Sequence, residues 1–403
     1  MRSPHHPHYV VWELTLACDQ HCTHCGSRAG DARQHELTTA EALEVVEQLA
    51  QMKAWEVTLI GGEAYLHEGF LDIVRALKRH GIRPTLTTGG LGVTEELASA
   101  LHEAGLHSAS VSVDGLESTH DLFRGQRGSF RGALRALRTL REAGVRVAAN
   151  SNFNRLNLTE LDALYELLKD HGVEGWLLIL TVPLGRAADR PDMLLQPWEL
   201  LELMPALARI KARGLAEGML ISPSNTIGYF GPEETLLRSP KPGMTDHFQG
   251  CVAGRFTLGI EADGAVKGCP SLQTSHYVGG NLRERTLREL WATPELSFAR
   301  ARTVDELWGF CRECPFAATC LGGCTFTSHA LFGRPGNNPL CHYRARTFAA
   351  KGLRERLVLK RAAPGAPFDH GHFELVVEPF DAADPRPPTP ARLLRKAPAA
   401  TGH

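Results

Sequence analysis

The sequence predicts an α/β protein in which an open, partial barrel of six βα units is followed by a small cysteine-rich domain. Over the first 230 residues, short apolar runs alternate with amphipathic helical patterns. This alternation is typical of a parallel sheet with helical crossovers. The ten cysteines fall into a group of three near the start and a region of seven after residue 250. Because six units are too few to close an eight-stranded barrel, we expect the barrel to be open.

Composition narrows the functional class. Of the 403 residues, 43% are hydrophobic and 22% are charged, which suits two or three globular domains. Lys and Arg number 44 and Asp and Glu 45, so nothing suggests a nucleic-acid partner. No apolar run is long enough to span a bilayer, and Met1–His8 lacks the apolar centre of a signal peptide. We therefore expect a cytoplasmic protein with no membrane partner.

The elements of the barrel follow one another along the chain. The first helix is predicted to begin at a capping box formed by Thr38 and Glu41. Later helices show apolar residues at three- and four-residue spacing, and glycines such as Gly81 and Gly105 end them. The predicted strands are Tyr9–Leu16, Val57–Ile60, Thr85–Thr88, Ala109–Val113, Val145–Ala149 and Trp176–Val182.

The predicted domains are the barrel over residues 8–235, the cysteine-rich domain over 236–345 and a C-terminal extension over 346–403. Residues 215–250 contain four prolines and predict a linker or bridging segment. The last 20 or so residues are rich in proline and are predicted to be disordered.

The first candidate site is a Cys-x3-Cys-x2-Cys motif formed by Cys18, Cys22 and Cys25, in the loop after the first strand. Three close thiolates can hold three irons of a [4Fe–4S] cube and leave the fourth iron for another ligand. On spacing alone, a zinc site completed by His21 or His24 remains an alternative.

Polar clusters occur where each predicted strand ends. Carboxyl ends of parallel strands meet at one edge of a barrel, where such folds carry their active sites. In the cluster after the second strand, the glycines let a ligand approach the backbone, and the carboxylate can bind an ammonium group. The clusters are Gly61-Gly62-Glu63, Thr87-Thr88-Gly89-Gly90, Ser112-Val113-Asp114-Gly115, Asn150-Ser151-Asn152 and Pro183-Leu184-Gly185-Arg186.

With these motifs, residues 8–235 resemble the radical S-adenosylmethionine (SAM) superfamily. Its members carry Cys-x3-Cys-x-aromatic-Cys, with His24 here in the aromatic position, and a Gly-Gly-Glu motif on the second strand. The resemblance implies a [4Fe–4S] cluster on Cys18, Cys22 and Cys25, chelated by the amino and carboxylate groups of SAM. It also implies reductive cleavage of SAM to a 5′-deoxyadenosyl radical that abstracts a substrate hydrogen.

The same resemblance implies a set of SAM contacts. Three of them have simpler alternatives: a surface ion pair for Arg124, a strand-end cap for Asn152 and a structural charge for Arg186. The contacts are Gly61, Gly62 and Glu63 for the methionyl amine, Ser112 and Asp114 near the ribose and methionyl groups, Arg124 for the carboxylate, Asn152 for the ribose, and Leu184 and Arg186 for the adenine.

The seven later cysteines form the second candidate site. Zinc knuckles are the alternative, but seven cysteines cannot fill two zinc sites of four cysteines each. All seven positions resemble the SPASM extension of radical SAM enzymes, which implies two auxiliary [4Fe–4S] clusters and three clusters in all. One would be held by Cys311, Cys314, Cys320 and Cys341, and the other by Cys251, Cys269 and Cys324.

The second auxiliary cluster has only three cysteines, so one of its irons lacks a thiolate. We predict that this iron is open or exchangeable near the substrate. Asp246, His247 and Gln249, just before Cys251, are the candidates for a fourth protein ligand.

The resemblance favours a maturase that installs a crosslink, an oxidation or an epimerisation in a ribosomally made peptide. Sulfatase-maturing relatives carry an aspartate after the second SPASM cysteine, and Pro270 stands there instead, so formylglycine formation is not expected. The alternatives are the same chemistry on a small molecule, such as a sugar or antibiotic intermediate, and a non-catalytic metal-binding scaffold.

Expected partners are a precursor peptide and an electron donor such as flavodoxin or ferredoxin. The chain starts shortly before Cys18, which leaves no room for an N-terminal leader-recognition domain. Leader binding is therefore expected to need a separate protein or the C-terminal tail. The sequence assigns no catalytic acid or base.

Overall fold

A computed structural model describes residues 6–228, 231–239, 244, 246–272 and 274–383. The predicted disorder of the last 20 residues lies outside the described residues.

Of the twelve strands in the described ranges, ten form one sheet and the other two form a hairpin. In the large sheet the strands lie in the order β10-β9-β8-β1-β2-β3-β4-β5-β6-β7. The strands are β1 Tyr9–Glu13, β2 Glu56–Ile60, β3 Arg83–Thr88, β4 Ser108–Ser112, β5 Arg146–Phe153, β6 Gly175–Leu180, β7 Leu220–Pro223, β8 Thr257–Ile260, β9 Ala265–Lys267, β10 Val278–Asn281, β11 Leu353–Arg361 and β12 His372–Pro379.

Strands β1 to β7 are all parallel, each paired with the next, which confirms the predicted α/β architecture. The prediction of a linker over 215–250 is wrong at Leu220–Pro223, which forms β7. This strand is four residues long and lies at the edge of the sheet, where Pro223 needs no ladder partner for its nitrogen. So short a run beside prolines carries little strand signal.

The cysteine-rich region continues the barrel sheet. Strand β8 pairs in parallel with β1, with Tyr9 opposite Thr257 and Trp12 opposite Ile260. Strands β9 and β10 then add to β8 in antiparallel fashion. Strand β1 is therefore shared between the two regions.

Fourteen α-helices are described, and those of the barrel follow the predicted alternation. They are α1 Thr39–Gln51, α2 Phe70–Arg79, α3 Glu95–Ala104, α4 Glu117–Arg124, α5 Ser129–Glu142, α6 Leu161–Asp170, α7 Leu200–Glu217, α8 Glu234–Arg238, α9 Thr274–Tyr277, α10 Leu287–Trp291, α11 Pro294–Ser297, α12 Ala317–Cys320, α13 Thr325–Phe332 and α14 His342–Ala349.

Local sequence explains the helices that flank the sheet. Helix α1 begins at Thr38, whose hydroxyl accepts the Glu41 N–H while the Glu41 carboxylate accepts the Thr38 N–H, so the predicted capping box is confirmed. Helix α3 ends at Gly105 in a left-handed conformation with φ of 89°, which glycine adopts at little cost. The apolar faces of these helices pack on the sheet in one core that includes Trp12 and Trp176.

The C-terminal extension forms an antiparallel hairpin, β11–β12, packed against α13 and α14. The loop at its tip returns to the barrel. The Phe368 N–H donates to Gly26 O at 3.0 Å, and the Gly185 N–H donates to Asp369 O at 2.8 Å. The tip therefore ties the first cysteine loop to the loop after β6.

Candidate active site and cluster-binding cysteines

The loop of the first three cysteines is closed by backbone hydrogen bonds. Cys18 N–H donates to Gly30 O at 2.9 Å. Two sulfurs accept backbone N–H groups: Cys18 Sγ from Gln20 at 3.4 Å and Cys25 Sγ from Ala29 at 3.4 Å. Burial raises the pKa of the Cys18 thiol to about 12, so the thiolate needs a positive partner such as iron. Sulfurs that accept N–H groups suit an iron–sulfur cluster.

Arg124 and Asp114 form a buried ion pair beneath this loop. The guanidinium donates to Asp114 Oδ2 at 2.6 Å and to Cys22 Sγ at 3.6 Å. Asp114 also accepts the Asn152 N–H at 2.8 Å and lies 3.5 Å from His24 Nε2. Burial opposes ionisation of Asp114, but the Arg124 charge, the two nearby histidines and the Asn152 N–H together outweigh it and lower the pKa. The pair is buried, not at the surface, and in this structure it orders the cysteine loop.

His24, at the position where the family has an aromatic residue, is enclosed by protein. Its ring packs edge-on against Phe123 with 5.9 Å between centroids. Burial lowers the pKa of His24 to about 4, so the ring is neutral. Its Nδ1 is buried and has no hydrogen-bond partner in the described part of the chain.

The Gly-Gly pair after β2 is required by the backbone of the first loop. A Cβ at Gly61 would lie 2.2 Å from Thr15 O, and one at Gly62 would lie 2.1 Å from Ala17 O. The Gly62 N–H donates to Thr15 O at 2.8 Å. The glycines thus allow two backbone segments to touch, whereas the sequence argument considered only the approach of a ligand.

Glu63 is buried directly beyond these glycines. It accepts the Thr88 hydroxyl and the Gly89 N–H, each at 2.6 Å. Burial raises the pKa of Glu63 to about 7. The nearby Asp19 Oδ1 and Gln20 Nε2 are buried without hydrogen-bond partners among the described residues. Unpartnered polar atoms beside a carboxylate suit a ligand that carries both an amine and a carboxylate, as SAM does.

Of the other predicted SAM contacts, some line a cavity and others lie outside its wall. Asn152 and Leu184 line a cavity of about 450 Å³. Ser112 is buried at the end of β4 and is not part of that cavity wall. Arg186 donates to the backbone carbonyls of Cys22 at 2.7 Å and Ala29 at 2.9 Å, so it braces the cysteine loop.

This cavity extends from the first cysteine loop to the cysteine-rich region. One part of its wall contains Cys25 and Gly61, while another contains Pro270 and Phe326, which adjoin the later cysteines in sequence. Phe368 from the hairpin tip also lines it. The cavity therefore reaches from Cys25 to residues that neighbour Cys269 and Cys324 in the sequence.

The later cysteines include two sets of neighbouring thiols. Burial raises the pKa of Cys269 to about 12, and the neighbouring Cys251 and Cys324 thiols add to this effect. Burial also raises the pKa of the Cys320 thiol, and three neighbouring thiols raise it further. Those three are Cys341, Cys311 and Cys314.

All ten cysteines are free thiols. In the ranges that the structure describes, no three or more His, Cys, Asp or Glu side chains converge closely enough to hold a single metal ion.

Sequence reasoning missed the groups that support these cysteines. Arg344 is buried and binds both oxygens of Glu355, at 2.5 and 2.6 Å, and Asn337 Oδ1 at 2.6 Å. Burial raises the pKa of the Cys311 thiol, and the Arg344 charge offsets part of that rise. An arginine three residues after Cys341 carries no signal that separates it from a surface charge.

Glu13, Lys267 and Phe368, which all line the cavity, were also missed. Glu13 could have been found, because a carboxylate inside the apolar run of the first strand is unusual. Lys267 and Phe368 reach the cavity only through tertiary pairing.

The three candidates for a fourth cluster ligand line a different cavity from the one beside Cys25. Asp246, His247 and Gln249 are exposed and line a separate cavity with Lys211 and Arg255. None of the later cysteines lines that cavity.

Comparison with known proteins agrees with this geometry. Residues 12–168 match the radical SAM superfamily, and residues 251–315 match the iron–sulfur cluster-binding domain called SPASM. The chain belongs to the radical SAM superfamily and carries a SPASM domain. SAM and iron–sulfur clusters are therefore its cofactors.

Relatives of this radical SAM/SPASM protein act on different substrates. It is 30% identical over 359 residues to an AdoMet-dependent heme synthase of Methanosarcina barkeri, covering 84% of this chain and 97% of that relative. It is 29% identical to the mycofactocin maturase MftC of Mycolicibacterium smegmatis, covering 83% and 82% of the two chains.

Solved structures share the fold. Native anSMEcpe with bound AdoMet superposes with a TM-score of 0.65 at 18% identity, over 84% of this chain and 94% of that one. Streptococcus suis SuiB bound to S-adenosylmethionine superposes with a TM-score of 0.64 at 15% identity, over 80% of this chain and 73% of that one.

No helix in the described ranges combines the length and apolar character needed to cross a bilayer.

Proposed function

We propose that this radical SAM/SPASM protein abstracts a hydrogen atom from a residue of a ribosomally made peptide and so installs a crosslink, an oxidation or an epimerisation. The observation that carries the proposal is the single cavity bordered by Cys25 and Gly61 at one part and by Pro270 and Phe326 at another. A substrate held there would lie between the radical source and the region of the auxiliary clusters.

Cys18, Cys22 and Cys25 would hold the SAM-binding [4Fe–4S] cluster, and the seven later cysteines would hold two auxiliary clusters. The reduced cluster would supply the one electron that splits bound SAM into methionine and a 5′-deoxyadenosyl radical. The chain's own contribution is orientation and exclusion of water. Glu63 would bind the methionyl amine, while Asn152 and Leu184 would contact the nucleoside.

The charge of the cavity favours a peptide over a polycarboxylate. Among the described residues that line it, Glu13 and Glu261 are acidic and Lys267 is basic. Lys267 is already paired with Glu261 at 2.5 Å. Hemes and coproporphyrins carry several carboxylates, which these acids would repel. A neutral or cationic peptide side chain has no such cost, and the similarity to MftC supports a peptide substrate.

The second candidate function is the same chemistry on a tetrapyrrole or another small molecule. It is favoured by the 30% identity to the heme synthase of Methanosarcina barkeri over nearly all of that relative's length.

The test is anaerobic reconstitution with iron and sulfide, followed by reduction in the presence of SAM and a candidate substrate. We expect 5′-deoxyadenosine, and we expect deuterium in it when a precursor peptide labelled at the reacting residue is supplied. Candidate peptides come from short genes beside this one, together with any leader-binding protein and with flavodoxin or ferredoxin as reductant.

Deuterium transfer from a tetrapyrrole but from no peptide would establish the second candidate. Absence of SAM cleavage in a fully reconstituted protein would leave only a metal-binding scaffold.

A further inference from the structure

A buried carboxylate faces the cavity and has no role in the cofactor sites. Glu13, the last residue of β1, is 4% exposed and lines the cavity wall. Its Oε1 accepts the Ala262 N–H at 3.3 Å and lies 3.0 Å from the Arg33 guanidinium. Its Oε2 makes no hydrogen bond within the described part of the chain. Because Glu13 lines the cavity and the described residues give this oxygen no donor, it can accept a hydrogen bond from a group that enters the cavity.

In the ion-pair cluster that contains Glu13, acidic side chains outnumber basic ones by one. Arg33 is shared by three carboxylates: Glu13, Glu261 at 3.0 Å and Asp263 at 3.5 Å. Lys267 pairs with Glu261 at 2.5 Å. This described cluster therefore contains three acidic side chains and only two basic ones. Its members come from β1, the loop after the first cysteines, β9 and the turn before β9.

Neighbouring cations are committed elsewhere. Lys267 Nζ also donates to Leu272 O at 2.8 Å and lies 4.0 Å from the centroid of the Phe368 ring. Arg283, which lies near Asp263, forms an ion pair with Glu41 at 2.6 Å. These cations are therefore held away from Glu13 Oε2.

Burial raises the pKa of Glu13 to about 7. The Glu261 charge adds to the rise, while Arg33, Lys267 and the Ala262 N–H oppose it. The carboxylate is thus close to half ionised at neutral pH, and a cation placed at Oε2 would favour its ionised form.

We propose that Glu13 Oε2 binds the ammonium or guanidinium group of a lysine or arginine side chain that enters the cavity. This deepens the proposed function, on which it rests, because it restricts the substrate to peptides that present a cationic residue to the radical. A cation at this position completes the charge balance of the wall and gives the free oxygen its donor.

The test measures binding to the full-length reconstituted protein with SAM, without turnover. The probes are the capped peptides Ac-Gly-X-Gly-NH2, in which X is lysine, norleucine or glutamate. By calorimetry at pH 8, the lysine peptide is expected to bind about tenfold more tightly than the norleucine peptide. The glutamate peptide is expected to bind most weakly.

Two variants separate recognition from folding. Glu13→Gln keeps the shape and removes the charge, and the lysine preference should disappear. Glu199→Gln removes another buried, ion-paired carboxylate, 2.9 Å from Arg155 and outside this cavity, and should keep the preference. Circular dichroism and iron content check that each variant is folded.

The wild-type protein provides a test that needs no variant. Lysine stays charged between pH 6 and 8, whereas Glu13 gains charge as pH rises through about 7. The lysine preference should therefore increase from pH 6 to pH 8. Equal binding of lysine and norleucine peptides at pH 8, or tighter binding of the glutamate peptide, would overturn the proposal. Because binding is read without turnover, failure to modify peptides would count against the proposed function and not against this site.

Discussion

At the residue scale, the cysteine loop depends on contacts that contain no cysteine. Arg124 joins Asp114 to the sulfur of Cys22, and both charged groups are almost fully buried. Gly62 allows the backbone after β2 to touch Ala17 O. Each contact allows one clear substitution with a matched control.

Replacing Arg124 with Ala should strongly destabilise the protein. The change leaves the Asp114 carboxylate buried without its cation, which typically costs about 3–5 kcal/mol. Thermal unfolding followed by circular dichroism should show a melting temperature lowered by roughly 10 °C. As a control, Arg209→Ala breaks an exposed pair with Asp162 and should change stability by no more than about 1 kcal/mol. Equal effects of the two variants would contradict the role of the buried pair.

Replacing Gly62 with Ala should disrupt SAM binding. The new Cβ would lie 2.1 Å from Ala17 O, so the loop that carries the cysteines must move, at a cost of about 1–3 kcal/mol. The measurement is the SAM dissociation constant of the reconstituted protein. The control is Gly175→Ala, whose nearest neighbour would be 3.7 Å away, at Leu220 O. Unchanged SAM affinity in Gly62→Ala would show that the loop absorbs the methyl group.

At the element scale, the tip of the C-terminal hairpin lies beside the first cysteine loop, and its Phe368 lines the cavity. The tip is held by Asp369, which accepts N–H groups from Gly365 and Ala366 and from Arg28 Nε at 3.1 Å. Arg28 also binds both oxygens of Asp189, at 2.7 and 2.9 Å. The hairpin, the cysteine loop and the loop after β6 are thereby joined beside the cavity.

Replacing Asp369 with Ala should loosen the hairpin tip and admit water to the cavity. Enclosure protects reactive intermediates from side reactions, so we expect several-fold more 5′-deoxyadenosine per product. Limited proteolysis within residues 362–371 should also become faster. Asp381→Ala, at the exposed end of the hairpin, is the control and should leave both readouts unchanged. If Asp369→Ala forms as much 5′-deoxyadenosine per product as the wild type and is digested at the same rate, the tip does not depend on this carboxylate.

At the scale of the whole molecule, two cysteine regions share one sheet. The pairing of β8 with β1 joins them through backbone hydrogen bonds, so neither region has a free edge where they meet. The cysteines themselves, however, lie in loops and short helices outside the ladder. Removing thiols should therefore leave the shared sheet intact.

Changing Cys18, Cys22 and Cys25 together to Ala should abolish SAM cleavage and retain roughly eight irons per chain, four for each auxiliary cube. Iron analysis and 5′-deoxyadenosine formation measure the two effects. The complementary control, with Cys251, Cys269 and Cys324 changed to Ala, should also retain roughly eight irons but keep SAM cleavage. Loss of nearly all iron from the first variant would show that the clusters assemble together.

The sequence by itself determined the class of fold and the position of the chemistry. Period-3.6 helices alternating with short apolar runs allow little except a parallel sheet, and polar residues at strand ends then fall at one edge. The spacing of the cysteines is local, so it is visible in the sequence.

Only the tertiary structure decided which groups surround that chemistry. β7 was missed because four edge residues carry little pattern, and the hairpin tip was missed because its contacts with Gly26 and Gly185 join distant parts of the chain. Glu13 meets Ala262 only because the first strand pairs with a strand 248 residues later. Charge balance and burial depend on such long-range contacts, which a local sequence pattern does not show.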